Sequence, residues 1–453
     1  MTDKVKVKVN RRRFLATAGA AIAAPYFIPS RVFSAPGRPG ANERVRVALI
    51  GAGGRGRSLI KEMDKSQIGH EAEMAAVCDV DEKRLAAGLA DCDPGVMPYR
   101  DYRYILERKD IDAVIIGTPD HWHAVHVVHA AEAGKHIYCE KPACCTIEEG
   151  RAMVKAVNKN KVACQIGSQG RSQPEAYLAH RYLVNGNIGH ISKVWCFHYA
   201  SPADNNPVPD SDPPPELDWD LWLGPLRWRP YNQRYLPGTF RWMMESGGGQ
   251  IRDRGAHVMS CAMYWMGADG AGPVEVEATN VEFPRKGVWD ACINMTVTYT
   301  FKNPDWTLIW DQKGAQFNPD APRGEKRADS EEVISRPGYG AIYHGDKGTF
   351  THWGGDGGTW AERKCREWVP PADHKEVYKS PGHMEDWFEG IKTGAKTIMN
   401  IEAATGVANL CILGNLSALL GRKLKWDQTK MEIVGDEEAR RLMGRPQRHP
   451  YHL

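Results

Sequence analysis

The stretch VRVALIGAGGRG, residues 45–56, limits the fold more than any other part of the chain. An apolar run, Val45–Ile50, reads as a strand, and SLIKEMDK after it reads as an amphipathic helix. Between them lies G-x-G-x-x-G. Such glycines allow a tight turn and bring backbone N–H groups close to a diphosphate at a helix N-terminus. Asp79 stands 23 residues beyond Gly56, at the end of the next apolar run. A carboxylate there can accept hydrogen bonds from ribose hydroxyls and repel a 2′-phosphate. These residues predict a dinucleotide site made by Gly51, Gly53, Gly54, Arg55, Gly56 and Asp79, with NAD favoured and NADP possible.

The runs Met74–Val77, Ala113–Ile116, Ile137–Cys139 and Val162–Ile166 alternate with helical patterns, which predicts βαβ units on a doubly wound parallel sheet over residues 44–166. Gly134 marks a helix C-terminus, and Thr146 with Glu149 a capping box. A chain of 453 residues exceeds one ordinary core, so a second domain is expected over 167–430, followed by a tail at 431–453. Strands are expected at Lys193–Tyr199, Val274–Phe283, Ala291–Phe301, Trp306–Gln312 and Gly340–Thr351, and helices at His383–Thr393 and Ala403–Leu420.

His121, His123, His126 and His129 raise the question of a metal, but no acidic ligand completes a set and none is predicted. Thr118, His121 and His123 are instead placed at the carboxyl edge of the sheet, beside the cofactor. The eleven cysteines form no C-x-x-C and are read as buried small apolar residues rather than a disulfide framework or zinc site.

Residues 1–34 carry seven Lys or Arg against one Asp, while the whole chain is only +3, so the remainder is net acidic and no nucleic-acid partner is expected. Those 34 residues place a basic stretch before an uncharged, alanine-rich run, Phe14–Ser30, broken by Pro25 and Pro29. Asn10-Arg11-Arg12-Arg13-Phe14-Leu15 resembles the twin-arginine (Tat) export pattern. The resemblance implies a signal at 1–34 cleaved near Ala35, a linker at 35–43, the Tat machinery as partner, and a periplasmic destination. That route carries folded proteins, often around a cofactor.

The ordered set GAGGRG, Asp79, TPDHWHA (118–124), AGKHIYCEKP (133–142) and GGGQIRDRGAH (247–257) resembles the Gfo/Idh/MocA oxidoreductases, from Val45 to the LKWD ending at Asp427. The resemblance implies an α/β fold: an N-terminal Rossmann domain and a C-terminal α+β domain with a large open, mostly antiparallel sheet. It further implies a homo-oligomer, dimer or tetramer, and a sugar or polyol substrate. Glu140-Lys141-Pro142 matches the family's E-K-P, which makes Lys141 the group that polarises the reacting oxygen. Asp253 and His257 match its aspartate–histidine pair, giving a substrate-orienting carboxylate and a general base on one helix face. Gln169 would touch the nicotinamide, with Glu140 beside it, and Arg171 the substrate. Two departures stand out: Ser260 replaces a common acidic residue, and ACCT follows E-K-P.

Residues 201–249 hold nine prolines and a crowd of Trp and Tyr. They form either a loop with its own aromatic core or a wall, including Trp242, on which a sugar ring can stack.

Three functions follow. The first is an exported NAD(P)-dependent oxidoreductase acting on a sugar or polyol hydroxyl, its cofactor held tightly and recycled. The second is an NAD-dependent glycoside hydrolase or lyase working by transient oxidation. The third, a non-catalytic binding protein, would have lost part of the lysine–aspartate–histidine set, which is intact.

Overall fold

The computed structural model describes residues 44–453 except 237, 303, 313–324, 327–332, 335–339 and 355–358. The export signal and linker expected at 1–43 lie outside the described residues.

The first domain is a six-stranded parallel sheet in the order β3-β2-β1-β4-β5-β6. Its strands are β1 (Val45–Ile50), β2 (Ala72–Cys78), β3 (Met97–Tyr99), β4 (Ala113–Ile116), β5 (His136–Glu140) and β6 (Cys164–Gly167). β1 and β4 are buried almost throughout because helices cover both faces, so they read as unbroken apolar runs. The helices that matter below are α1 (Gly54–Lys65), α2 (Glu82–Ala90), α3 (Asp120–Glu132) and α4 (Ile147–Asn160). α3 ends before Gly134, whose φ of 72° gives the chain its left-handed exit. α4 opens on the expected capping box: Thr146 Oγ1 accepts from Glu149 N, and Glu149 Oε2 from Thr146 N.

The second domain is built on a nine-stranded sheet in which only one neighbouring pair, β7 (Ile191–Phe197) with β10 (Trp306–Asp311), runs parallel. β8 (Glu275–Glu282) pairs with β9 (Asn294–Phe301), and β9 alternates: Met295, Val297, Tyr299 and Phe301 turn inward, the intervening threonines outward. Helices α5 (Ala256–Trp265) and α6 (Ile401–Leu420) pack on the inner face. α6 is long and apolar enough to cross a membrane, yet it is almost wholly buried inside the protein. It packs on α4 on one side and on β8 on the other, which explains why it is apolar all round.

Two expectations change. The strand expected over Gly340–Thr351 is a hairpin, Gly340–Gly345 and Gly348–Gly354, with Gly345 paired to Gly348 across the two residues Asp346 and Lys347. The segment expected as a tail is folded in. Glu432–Ile433 pairs with Leu424–Asp427, a short helix covers Glu437–Arg441, and Tyr451 packs edge-on against Trp122 of α3.

Candidate active site

The crevice forms where β1 and β4 lie side by side and their following loops part, the switch point of the sheet. Gly51, at φ 91°, presses its backbone against the next loop: a Cβ there would meet Gly117 and Thr118 at 2.8 Å. α1 then starts without any side-chain cap, so its leading N–H groups are offered to an anion. Asp79 closes the same pocket; its Oδ2 accepts from Ala52 N at 2.7 Å and its Oδ1 from Asp81 N at 2.9 Å. Burial pushes this carboxyl up, and those two N–H groups with Arg84 pull it down. It ties the glycine loop to the end of β2 and keeps lone pairs for ribose hydroxyls. A glycine cradle, an uncapped helix start and a strand-end carboxylate fit a dinucleotide.

At the end of β5, Lys141 reaches across to the second domain. Its Nζ donates to Asp253 Oδ1 at 2.7 Å and to Asp253 O at 2.8 Å. An ammonium has three protons, so one remains for a substrate oxygen. Burial alone would raise the Asp253 carboxyl; Lys141, Arg241 and Arg254 reverse that and hold it far below the usual carboxylate range. His257 is buried, and burial together with the Lys141 charge holds its imidazole well below its ordinary value, hence neutral, the protonation state a general base must start from. Asp253 lies in a π-helical turn, Ile251–Gly255, that runs straight into α5. The expected i, i+4 α-helical relation is therefore wound wider at its first residues, a common feature of functional sites.

Other expected residues meet around Glu140. Arg55 Nε pairs with Glu140 Oε1 at 2.8 Å and its Nη1 with Glu62 Oε1 at 2.6 Å, while Gln169 Nε2 donates to Glu140 Oε1 at 3.0 Å and Tyr138 OH at 2.7 Å. Gly167, beside Glu140 on β6, has no room for a Cβ because the carboxylate occupies it at 2.6 Å. Trp242 is half-buried, and its carbonyl accepts from Asp290 N and Ala291 N.

Three assignments are corrected. Arg171 is not placed to hold a substrate: its Nη1 and Nη2 grip Asp269 at 2.6 and 2.8 Å, and the rest of its fork goes to Ser260 Oγ, Ser260 O and Ile398 O. Ser260 is thereby an internal partner too. His121 does not line the pocket over the glycine loop; its Nε2 lies 2.9 Å from Trp222 O inside an aromatic layer. His123 lies between two loops, with Nδ1 at 2.7 Å from Pro142 O and Nε2 at 3.0 Å from Thr118 O. Among the described residues, no group of three or more His, Cys, Asp or Glu gathers as a metal site.

Arg241 was missed. Its Nε donates to Asp253 Oδ1 at 3.0 Å from a short 3-10 turn, Thr239–Trp242. It lies in the proline-rich stretch, where no periodicity assigns it a face. Its one local cue is its closeness to Gly247, which folds back to donate to Met243 O.

The family model described as "Oxidoreductase family, NAD-binding Rossmann fold" matches residues 45–168, and that described as "Oxidoreductase family, C-terminal alpha/beta domain" matches 185–321 and 356–453. A levoglucosan dehydrogenase of Pseudarthrobacter phenanthrenivorans is 34% identical over 167 residues, 37% of this chain and 36% of that protein. A glycosyl hydrolase family 109 protein of Shewanella pealeana is 30% identical over 182 residues, 35% of this chain and 39% of that protein. The chain thus spans little more than a third of the length of these two curated relatives. The WlbA dehydrogenase of Bordetella pertussis, solved with NADH and UDP-GlcNAcA, superposes with a TM-score of 0.59 at 18% identity, over 85% of this chain and 99% of that one. With one model matching the parallel-sheet domain and the other most of the rest of the chain, the chain belongs to the Gfo/Idh/MocA oxidoreductase family, its first domain an NAD-binding Rossmann fold.

Proposed function

We propose that the protein is an exported oxidoreductase that acts on a hydroxyl of a sugar or polyol and keeps its NAD through successive turnovers. The observation that carries this reading is the Lys141–Asp253 contact at the end of β5, with neutral His257 in the same electrostatic cluster.

NAD, when bound along the glycine loop and Asp79, supplies the two-electron acceptor for the carbinol C–H. The chain does the rest. His257 accepts the hydroxyl proton, the remaining Lys141 proton steadies the oxygen as negative charge develops, and Asp253 fixes Lys141 in place. Arg241 and Arg254 keep Asp253 ionised while it does so. The order of basic stretch, apolar run and small residues at the N-terminus supports export. Beyond the cytoplasm there is no exchangeable NAD pool, so a second carbonyl compound must be reduced in the same site to restore the cofactor.

The test is to purify the mature protein, denature it and assay the supernatant for NAD(H) and NADP(H). NAD(H) is expected in near-stoichiometric amount, and a protein that arrives empty from gentle purification refutes the retained-cofactor reading. Lys141→Ala and His257→Ala are each expected to abolish spectral cycling of the bound nicotinamide. Undiminished cycling in either removes that residue from the reaction.

The similarity to a family 109 glycosyl hydrolase favours a second reading, in which transient oxidation allows a glycosidic substituent to leave before reduction. Release of an aglycone with no added acceptor selects it.

A further inference from the structure

The aromatic segment left open between a self-contained loop and a sugar wall has a third role. Residues 216–236 lie across the first domain. Asp218 N donates to Val80 O at 3.0 Å and Glu82 N to Glu216 O at 3.1 Å, so that Leu217 and Asp81 form an antiparallel bridge. Lys83 and Glu216 pair at the margin of that contact. On the other side, Trp222 O lies 2.9 Å from His121 Nε2 and 3.0 Å from Trp122 Nε1. One anchor sits at the end of β2, the other at the start of α3, and the pocket over Gly51, Gly53 and Asp79 opens between them.

Leu217, Leu221, Trp222 and Leu236, with Phe240 from the next turn, line that pocket opposite the glycine loop. Behind them Trp219, Trp222, Tyr231 and Tyr235 form a core of their own, with Trp219 and Trp222 stacked at 4.8 Å. The segment is also held from outside. Arg448 Nε donates to Gly224 O at 2.9 Å, its Nη2 to Asp220 O at 2.6 Å, and its backbone N to Pro225 O at 3.1 Å. Gly224, at φ 50°, lies so close to the Trp122 ring that a Cβ would collide with it.

We infer that residues 216–236 form a strap supplying the outer wall of the adenosine half of the NAD site, and that parting this strap from the first domain limits cofactor release. The ribose-binding carboxylate Asp79 fixes which end of the dinucleotide lies under it. An adenine presents flat apolar faces, which Leu217 and Leu221 are suited to cover. A wall tied at two ends and braced behind must open before a ligand beneath it can leave, and such gating sets many release rates. The inference rests on the NAD-binding reading and gives the retained cofactor a structural cause.

The experiment measures release of NADH from the holoprotein by loss of its fluorescence on mixing with excess NAD+. Wild type is compared with Leu221→Ala, which thins the wall, and Arg448→Ala, which removes the brace without touching the pocket. Trp228→Ala serves as control, being on the same segment but largely exposed. Both test variants are expected to release NADH about tenfold faster, with little change in association rate, while the control matches wild type. Thermal melts taken alongside identify any variant that has lost its fold, and Arg448→Lys, which keeps the charge but not the forked contacts to Gly224 O and Asp220 O, replaces Arg448→Ala if that variant is the one lost. Release rates within about twofold of wild type in folded variants overturn the inference. An effect confined to Leu221→Ala also overturns it, because that outcome indicates a direct contact and no tethered strap. A wild type that sheds its cofactor during purification refutes internal recycling instead, and the strap is then judged on the ratio of rates.

Discussion

Lys141, partly buried, and Arg171, fully buried, are both cations near the junction of the two domains, and their surroundings give them different roles. Lys141 keeps a proton for something outside the protein. Arg171 keeps none, since Asp269, Ser260 and Ile398 O absorb its whole guanidinium fork. Its side chain is fully buried, whereas Asp269 is 30% exposed. Removing one partner of such a pair strands the other, a loss of about 3 kcal/mol, at the low end because Asp269 can turn to water. Arg171→Ala is therefore expected to lower the urea midpoint markedly while the folded protein binds NADH as before. A variant of wild-type stability with a raised KM returns Arg171 to the substrate. The sequence could not separate these roles, because the partners Ser260 and Asp269 lie 89 and 98 residues away and no local pattern joins them.

At the scale of elements, the parallel sheet was legible where its strands are buried, as β1, β4, β5 and β6 are; the short edge strand β3 is largely exposed and left no apolar run to read. β1 and β4 appear with the expected ends, and the capping box at α4 is present atom for atom. The 201–249 segment was not legible, since prolines erase periodicity and its partners are loops of the first domain. The capping box also conceals a second role. Glu149 receives Arg445 Nε at 2.9 Å as well as Cys145 N at 2.7 Å, so the cap is the buried anchor of the chain's last turn. Thr146→Ala loses one cap bond and is expected to cost about 1 kcal/mol. Glu149→Gln leaves the nearly buried Arg445 guanidinium without its counter-charge and is expected to cost more, about 3 kcal/mol. Urea unfolding of the two variants checks the order; equal losses mean that Glu149 acts only as a cap.

The whole molecule carries its histidines in an unusual way: His121, His126, His257, His352 and His383 are all buried, and burial holds every one below the ordinary 6.5. His383 is brought down to about 4, and His121 and His352 to about 3. In the unfolded chain these rings return to about 6.5. Below that pH the unfolded state therefore binds protons that the native state refuses, and stability falls as pH falls. Each such ring contributes a slope of about 1.4 kcal/mol per pH unit until its folded value is reached. Asp120 works with the opposite sign, because burial raises it and the native state takes up its proton first, so the slope flattens where it titrates. Urea midpoints measured from about pH 7 down to about pH 5 should drop steadily, with a slope that corresponds to several protons per chain. Activity should not follow the same curve. His257 is held well below its ordinary value, so kcat/KM per folded molecule is expected to remain flat through pH 6.5. A bend at that pH in protein still fully folded would mean that the base is a histidine with an ordinary pKa, and His257 would lose the role.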